Sequence, residues 1–309
     1  MIDFCPACGN PSLNNQQKYM GKSDFFLPDT ILNCTHCGLG IASPMPSSLE
    51  LNMYYAGQYW TDPGLPFTPS YYPTTYTLAL SRWKQLTPLI EKSPESAHGL
   101  KILDIGSGHS FFGTIASESS IMMGGGYYAV EPDNNYREIA KKNWKSTDCS
   151  SFFYNSLDEV CDQFDLITIS HVLEHVTDPI DFIKNITTYL KPDGILFIEI
   201  PHRDDRFKKN VFPHLLFFTK DALNELLISC DLLPISIEIR GVDASSSVLS
   251  QYGKGLRHYL PKIWQRVGRY FPNSLNLIFY NWLLAPELQH PQGTWLRGIA
   301  KRKVSLFED

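Results

Sequence analysis

Four of the seven cysteines form two close pairs near the N-terminus, and their spacing is that of a metal-binding site. The pairs occur in the stretches Cys5-Pro-Ala-Cys8-Gly9 and Cys34-Thr-His-Cys37-Gly38. Two thiolates separated by two residues can bind one tetrahedral Zn²⁺, and the glycine after each pair permits a tight turn. Sulfur would fill all four positions, whereas a catalytic zinc keeps one position open to water. The sequence therefore predicts a zinc ribbon with a structural metal.

A second group of reactive side chains lies in the stretch SHVLEHVTDP, residues 170–179. His171, Glu174 and His175 spell the inverted zinc-protease pattern, which needs both histidines on one face of a long helix. The preceding residues, FDLITIS, instead predict a buried strand that ends near Ser170. Asp178-Pro179 then stops any helix that begins in between. The stretch is expected to form a strand end and a turn, so a protease is disfavoured.

A glycine-rich loop follows another predicted strand, KILDIG. Its pattern is Asp104-x-Gly106-x-Gly108, and Glu131 ends the next predicted strand. Glycines at this place let the backbone approach a ligand at the start of a helix, and such an acid can accept both hydroxyls of a ribose. Phe111 stands where a dinucleotide fingerprint has its third glycine. An acid two residues before the first glycine suits a ligand that carries an amino group.

Together these motifs resemble class I S-adenosylmethionine-dependent methyltransferases, over about residues 76 to 240. The resemblance implies S-adenosylmethionine as cofactor and a Rossmann-like methyltransferase fold. It also implies these contacts: Asp104, Gly106 and Gly108 with the methionine moiety, Glu131 with the ribose, Asn155, Ser156 and Leu157 with the adenine, and Ser170 and His171 near the sulfonium. His109 departs from the family, in which many members have a small residue at this position.

The pair Glu174 and His175 matches a proposed catalytic base in related enzymes that methylate sugars. Histidine titrates close to neutral pH, so His175 could take the proton of a hydroxyl or carbon nucleophile. Alternatively, the pair only stabilises the turn between strand and helix through hydrogen bonds. His202 and His214 are further candidates for the site.

Alternating strand and helix patterns begin at Lys101 and predict an α/β fold with a doubly wound, mostly parallel, seven-stranded sheet. The predicted strands are 101–106, 127–132, 151–156, 164–170, 194–201 and 234–240, with a closing strand within 294–307; the predicted helices are 75–91, 110–119, 134–144, 179–190 and 220–230. The predicted organisation is a zinc ribbon (1–43), an aromatic and proline-rich linker or cover (44–75) and a methyltransferase domain (76–309) with a helical insertion or lid (241–293).

The bulk composition is that of a globular protein, with 43% hydrophobic and 19% charged residues. The formal net charge of −5 argues against a nucleic-acid partner. No apolar run reaches the roughly 18 residues of a membrane span, and the first residues lack the order of a signal peptide. We expect a cytoplasmic protein.

The acceptor is predicted to be a small molecule or glycan, most simply a sugar hydroxyl, because a zinc ribbon ahead of a methyltransferase domain resembles bacterial sugar methyltransferases. Carbon methylation of a nucleotide-linked deoxysugar, a nucleotide-dependent oxidoreductase, an RNA methyltransferase and a non-catalytic relative stay open. The aromatics Tyr54, Tyr55, Tyr59 and Trp60 could cover the site or join the ribbon to the sheet. Residues 255–271 could form a lid, a peripheral membrane contact or a packed insertion.

Overall fold

The computed structural model describes residues 2–21, 23, 25–57, 72–91, 99–244, 263–264, 267 and 270–303. The strands in chain order are β1 (Leu13–Lys18), β2 (Thr30–Cys34), β3 (Gly40–Ser43), β4 (Lys101–Ile105), β5 (Gly126–Val130), β6 (Ser150–Tyr154), β7 (Phe164–Ser170), β8 (Leu190–Pro201), β9 (Leu216–Phe217), β10 (Leu232–Asp243) and β11 (Gly293–Arg302). The α-helices are α1 (Ser48–Gly57), α2 (Tyr72–Ile90), α3 (Phe111–Ala116), α4 (Asn134–Asn143), α5 (Pro179–Thr187), α6 (Lys220–Ser229) and α7 (Asn273–Leu284).

The larger sheet has seven strands in the order β10-β11-β8-β7-β4-β5-β6. The pairs among β4 to β8 are parallel, as the strand–helix alternation predicts. The last strand, β11, lies between β8 and β10 and pairs antiparallel with both, so the sheet is mixed. The predicted sheet-and-helix architecture is therefore confirmed, while the insertion of the closing strand inside the sheet is a property of the tertiary structure.

Helix boundaries follow from local capping. The Asp133 side chain accepts a hydrogen bond from the Tyr136 backbone N–H at 3.0 Å and starts α4. The Asp178 side chain likewise accepts a hydrogen bond from the Asp181 backbone N–H at 3.0 Å, and Pro179 is the first residue of α5. Both helices thus begin where the sequence predicts. Helix α3 ends at Ala116, earlier than predicted, because the chain turns there into a 3₁₀ helix at Ser120–Met122.

The smaller sheet has the order β1-β2-β3-β9, and its strands pair antiparallel. Strand β9 comes from the segment after β8, so the small sheet combines three strands near the N-terminus with one strand from more than 170 residues later in the chain. Two side chains of that segment also donate to the second cysteine pair: Thr219 Oγ1 to the Cys37 carbonyl at 2.6 Å, and Arg203 Nη1 to the Gly38 carbonyl at 2.9 Å. The N-terminal sheet is therefore attached to the larger sheet by hydrogen bonds and a shared core.

The segment predicted as a linker or cover contains α1, whose two tyrosines have different surroundings. Tyr54 is fully buried, and its ring lies 5.5 Å from that of Phe26 and 5.6 Å from that of Phe212. The Tyr55 hydroxyl reaches His175, in the turn that follows β7. Tyr59 and Trp60 lie outside the described residues.

Two predicted boundaries need correction. Helix α2 begins at Tyr72 rather than at residue 75. The predicted insertion at 241 begins inside β10, because pairing with β11 continues to Asp243, opposite Gly293. Helix α7 falls within this region, whereas most of 255–271 lies outside the described residues. Among the described helices, none has the length and apolar character needed to cross a membrane.

Candidate active site

The glycine loop leaves β4 in a conformation that favours glycine. Gly106 has a φ of 70° and Gly108 a φ of 50°, both in the left-handed region. The Gly106 backbone N–H donates to the Val130 carbonyl at 2.8 Å and joins the loop to the end of β5. A Cβ atom on Gly106 would overlap Cγ2 of Val172, whereas one on Gly108 would meet no atom within 4 Å. Close packing against the turn after β7 therefore requires glycine at position 106.

Glu131 follows β5 directly and lies against this loop. Its Oε2 accepts from the Gly108 backbone N–H at 2.8 Å, and its Oε1 accepts from the Asp133 backbone N–H at 3.0 Å. The side chain is buried, and burial raises the pKa of its carboxyl group. The glycine loop and the predicted ribose acid are thus in direct contact, although Gly108 and Glu131 are 23 residues apart in the sequence.

Asp104 lies in β4 with its carboxylate buried. Burial raises its pKa to about 7, against the opposing effects of a 2.6 Å hydrogen bond from the Tyr127 hydroxyl and of the Arg82 charge. A bound cationic group beside this carboxylate would favour its ionised form. The site is therefore suited to a ligand with an amino group.

The loop after β6 lies beside the same strand ends. Arg137 Nη1 donates to the Glu131 carbonyl at 2.5 Å and to Asn155 Oδ1 at 3.1 Å, which brings the second and third strand ends together. Ser156 and Glu159 form a capping box at the start of a 3₁₀ helix that begins with Leu157. The three residues predicted beside the adenine therefore sit next to the predicted ribose acid.

The HVLEH stretch forms a strand end and a turn, as expected. Ser170 ends β7, His171 has a φ of 58°, and Leu173–His175 is a single 3₁₀ turn. The His171 backbone N–H donates to the Glu199 carbonyl at 2.8 Å, which binds the turn to β8. The two histidines do not share a helix, so the inverted protease geometry is not formed.

Three charged groups meet at this turn. His171 Nδ1 lies 3.2 Å from Glu174 Oε1, and His171 Nε2 lies 3.5 Å from Glu199 Oε1. Burial opposes protonation of His171, but the two carboxylates outweigh it and raise its pKa to about 9. Burial likewise opposes ionisation of Glu174, yet the neighbouring histidines lower its pKa to about 2. At neutral pH this turn holds a cationic His171 against an anionic Glu174.

His175 differs from His171 in its protonation. Burial lowers its pKa to about 4, although the adjacent Glu174, with Oε1 at 3.8 Å from Nε2, favours the charged form. The expectation that this histidine titrates near neutrality is therefore wrong. The ring is neutral at pH 7, and the Tyr55 hydroxyl lies 2.8 Å from its Nδ1. Tyr55 comes from α1, which no local motif could have linked to this turn.

His214 also belongs to this cluster. Its ring centroid lies 4.9 Å from that of His175, and its Nδ1 lies 2.8 Å from Asp204 Oδ2. Glu174, His175 and His214 each have one potential metal-ligand atom within 4.8 Å of the other two, a spacing that could hold a metal ion. The Pro213 carbonyl also hydrogen-bonds the His175 ring. We interpret the group as a hydrogen-bonded network around His175.

A buried ion cluster behind this turn was not predicted. Glu199 in β8 accepts from Arg297 Nε of β11 at 2.5 Å and from Arg82 Nε of α2 at 2.8 Å. Burial alone would raise the pKa of Glu199, but the two guanidinium groups hold it well below its usual value. The sequence did contain an indication of this cluster. Glu199 is the one charged residue of the apolar stretch ILFIEIP, and a charged residue inside a buried strand needs a partner of opposite charge.

Two further histidines have ordinary surroundings. His109 stacks on Phe111 with ring centroids 5.5 Å apart and lies edge-on to Tyr136, and burial lowers its pKa to about 4. His202 Nδ1 lies 3.2 Å from the Gly293 carbonyl. These contacts favour a packing role for His202.

The four paired cysteines converge as the spacing predicts. The Sγ atoms of Cys5 and Cys37 lie 3.6 Å apart, as do those of Cys8 and Cys34, and all four lie within 4.8 Å of one another. Four sulfurs around Zn²⁺ at about 2.3 Å are separated by roughly 3.8 Å, so the arrangement fits this ion. The glycines after the pairs have φ values near 70°, and each donates its N–H to the carbonyl of the first cysteine, at 2.8 Å and 3.0 Å.

Comparison with known proteins agrees with this geometry. A family described as a methyltransferase domain matches residues 78–232, half of the 309 residues. The chain therefore belongs to the methyltransferase domain family, and the methyltransferase prediction is confirmed at this level.

Individual relatives match only in part. A ubiquinone biosynthesis O-methyltransferase of Actinobacillus pleuropneumoniae is 29% identical over 157 residues, which cover 47% of this chain and 60% of that protein. The mitochondrial ubiquinone biosynthesis O-methyltransferase of Schizosaccharomyces pombe is 34% identical over 106 residues, 32% of this chain and 37% of that protein. The chain thus spans about three fifths or less of these two relatives. The solved structure of the plantazolicin methyltransferase BpumL in complex with SAH (S-adenosylhomocysteine) is 14% identical in sequence to this chain. The alignment has a TM-score of 0.46 and covers 75% of this chain and 85% of BpumL.

Proposed function

We propose that this protein transfers a methyl group from S-adenosylmethionine to a hydroxyl of a small-molecule or glycan acceptor. The observation that carries the proposal is the contact between the glycine loop and Glu131, where Gly108 and the carboxylate meet at 2.8 Å beside the buried Asp104. A loop that approaches a ligand closely, an acid for two hydroxyls and an acid for an amino group are the groups that this cofactor needs.

The chain's own residues would hold the cofactor at four strand ends. Asp104 and the loop glycines would bind the methionine end, Glu131 the ribose, and residues 155–157 the adenine, with Ser170 and His171 near the sulfonium. S-adenosylmethionine supplies an activated methyl group when bound. Glu131 must release the Gly108 N–H or share that oxygen when a ribose hydroxyl arrives. The protein's main contribution is to hold donor and acceptor in line.

His175 is the proposed base, with Glu174 beside it. Since burial keeps its ring neutral at pH 7, it can accept the hydroxyl proton while the new oxygen–carbon bond forms and the carbon–sulfur bond breaks. Glu174 would stabilise the imidazolium that results, and Tyr55 orients the ring. A pKa near 4 makes His175 a weak base before the acceptor binds, so the rival role, in which Glu174 and His175 only stabilise the turn, needs the same test.

The acceptor atom is proposed to be oxygen. The sequence resemblance to sugar methyltransferases and the names of the relatives, ubiquinone biosynthesis O-methyltransferases, both support oxygen over carbon or nitrogen. They differ on the acceptor molecule: the first supports a sugar hydroxyl, the second a hydroxyl of a compound in ubiquinone biosynthesis. We favour the sugar because the cysteine-rich N-terminal region, which carries that resemblance, lies outside the matched domain at 78–232.

We further propose that Cys5, Cys8, Cys34 and Cys37 hold a structural Zn²⁺. With four sulfur ligands the ion would have no open position for chemistry. The ion would hold β2 and β3 in position. Strand β3 in turn pairs with β9, and Thr219 donates a hydrogen bond to the Cys37 carbonyl.

The direct test is calorimetry with S-adenosylhomocysteine, followed by mass spectrometry for a methyl gain across sugar nucleotides and intermediates of ubiquinone biosynthesis. Binding with methylation of a sugar hydroxyl supports the whole proposal, and methylation of a ubiquinone intermediate alone would replace the acceptor. His175→Ala should abolish turnover and leave cofactor binding near normal. If the purified, zinc-loaded protein does not bind S-adenosylhomocysteine, the proposed function is wrong.

A further inference from the structure

The segment just before β9 contacts the proposed base and its partner acid at three places. The Pro213 carbonyl accepts a hydrogen bond from the His175 ring, and the His214 ring packs edge-on against that ring, with centroids 4.9 Å apart and planes at 80°. The Leu215 backbone N–H donates to the Glu174 carbonyl at 2.8 Å. We call residues 211–215 the bridging segment. It follows the HVLEH turn only after α5 and β8, so the turn is held from outside its own motif.

The other side of the bridging segment is attached to the smaller sheet. The Tyr19 hydroxyl donates to the His214 carbonyl at 2.8 Å, and the Ala42 backbone N–H donates to the Leu215 carbonyl at 2.8 Å. Tyr19 directly follows β1 and is buried, and Ala42 lies in β3. The bridging segment therefore lies between the smaller sheet and the turn, and its position depends on that sheet.

The side chain of His214 is held as well. Its Nδ1 lies 2.8 Å from Asp204 Oδ2, and the Asp204 side chain is only 2% exposed. Burial opposes ionisation of Asp204, but the charges of His214 and Lys208 outweigh it and lower the pKa of this carboxyl group. An ionised carboxylate beside one imidazole nitrogen holds the ring in one orientation. Tyr19 thus holds the backbone of His214, and Asp204 holds its ring.

The contact with Pro213 selects one form of the His175 ring. A carbonyl oxygen only accepts hydrogen bonds, so the ring nitrogen that faces it must carry a proton. A neutral imidazole has a single N–H, so the other nitrogen is the one that can accept a proton from an acceptor. The Tyr55 hydroxyl at Nδ1 can donate or accept, so it does not select a tautomer by itself. A shift of the Pro213 carbonyl would therefore release the tautomer of His175.

We propose that the smaller sheet, acting through Tyr19 and the bridging segment, fixes the orientation and the tautomer of His175, with His214 as a positioning residue. Proton transfer depends on such placement, because a misplacement of about 1 Å can lower a rate by about a hundredfold. The catalytic consequence rests on the proposed role of His175 as the base, whereas the tautomer of its ring does not. The rival is a bridging segment that only packs the two sheets together.

The test is long-range ¹H–¹⁵N NMR of the full-length, zinc-loaded protein labelled with ¹⁵N-histidine, because these spectra report the tautomer of each ring. The His175 signals are those missing from His175→Gln. At pH 7 we expect one tautomer of His175 in about tenfold excess or more, and an excess that is about threefold to tenfold smaller in Tyr19→Phe, which loses one hydrogen bond. Tyr128→Phe is the matched control, because the Tyr128 hydroxyl donates to Asp162 at 3.0 Å, away from the bridging segment.

A second variant, His214→Ala, removes the ring but not the backbone carbonyl, and it should reduce the excess at least as much as Tyr19→Phe. Calorimetry with S-adenosylhomocysteine on the same samples should give wild-type affinity, which shows that the variants are folded. With an acceptor identified by mass spectrometry, Tyr19→Phe should also lower kcat by about threefold to tenfold and leave the KM of the methyl donor unchanged.

Two NMR results would overturn the inference. One is an equal excess of the same tautomer in wild type, Tyr19→Phe and His214→Ala, and the other is comparable amounts of both tautomers in wild type. A normal kcat in a variant with mixed tautomers would remove the catalytic consequence. If wild type does not bind S-adenosylhomocysteine, the proposed function fails, but the NMR spectra still decide whether the smaller sheet fixes His175.

Discussion

The carboxylate of Glu131 accepts a hydrogen bond from the backbone N–H of Gly108 at 2.8 Å. This contact joins the ends of two neighbouring parallel strands, β4 and β5. The glycine loop thus holds the Glu131 carboxylate in position, and both would contact the same bound cofactor.

Glu131→Ala should weaken S-adenosylhomocysteine binding by about tenfold to a hundredfold, because a hydrogen bond to a charged group contributes about 1.5–3 kcal/mol. Isothermal calorimetry measures the change. Glu138→Gln is the control, since Glu138 is an exposed residue of α4 that forms a surface ion pair with Lys141. Unchanged affinity in Glu131→Ala would remove Glu131 from the ribose site.

Gly106→Ala should destabilise the protein more than Gly108→Ala. Both substitutions place an alanine in the left-handed region, at about 1–2 kcal/mol each. Only Gly106→Ala adds a clash with Val172, worth about 1–3 kcal/mol more. Urea unfolding at neutral pH gives both values, and Gly106→Ala combined with Val172→Ala should recover the part due to the clash. Equal losses in the two single variants would contradict the close packing of loop and turn.

Acid should destabilise the protein partly through His175. Its pKa falls from 6.5 to about 4 on folding, so the unfolded chain binds the proton first and stability falls as pH drops from about 6.5 towards 4. Between pH 7 and about pH 4.5 the loss from this group is roughly 2.5 kcal/mol. Unfolding free energies of wild type and His175→Gln at the two pH values measure it. A variant as acid-sensitive as wild type would show that His175 titrates normally.

Glu199→Gln should destabilise the fold by about 3–5 kcal/mol, because it leaves the buried Arg297 and the largely buried Arg82 without their counter-charge. The comparison is Glu287→Gln, which breaks the exposed pair with Lys84 and should change stability by less than about 1 kcal/mol. Thermal and urea unfolding report both. A small effect of Glu199→Gln would mean that water or another anion compensates the two arginines.

Cys34→Ala should abolish stoichiometric zinc binding, whereas Cys149→Ala, which removes a buried cysteine outside the cluster, should retain it. Metal content by mass spectrometry is the measurement. We also expect a lower unfolding temperature in Cys34→Ala, since a tetrathiolate site contributes directly to folding. Equal zinc content in the two variants would rule out the proposed ligand set.

The agreement between sequence and structure is best where function depends on neighbouring residues. The cysteine pairs, the glycine loop and the strand that ends at Ser170 lie within short stretches, and each was predicted from spacing or periodicity. Protonation was not predictable in the same way. His171 and His175 are four residues apart in one motif, yet their pKa values shift in opposite directions, to about 9 and about 4. The difference comes from Glu199, which lies beside His171, and from the burial of His175.

The sequence by itself indicated the fold class, the glycine-loop motif and the cysteine pairs proposed as metal ligands, because backbone conformation and ligand spacing are properties of contiguous residues. Only the tertiary structure decided which distant residues meet. It placed β11 between β8 and β10, which brings Arg297 to Glu199 across 98 residues, and it brought Tyr55 to His175 across 120. Such contacts follow from the packing of whole sheets and from the need to pair buried charges. No short stretch of the chain contains that information.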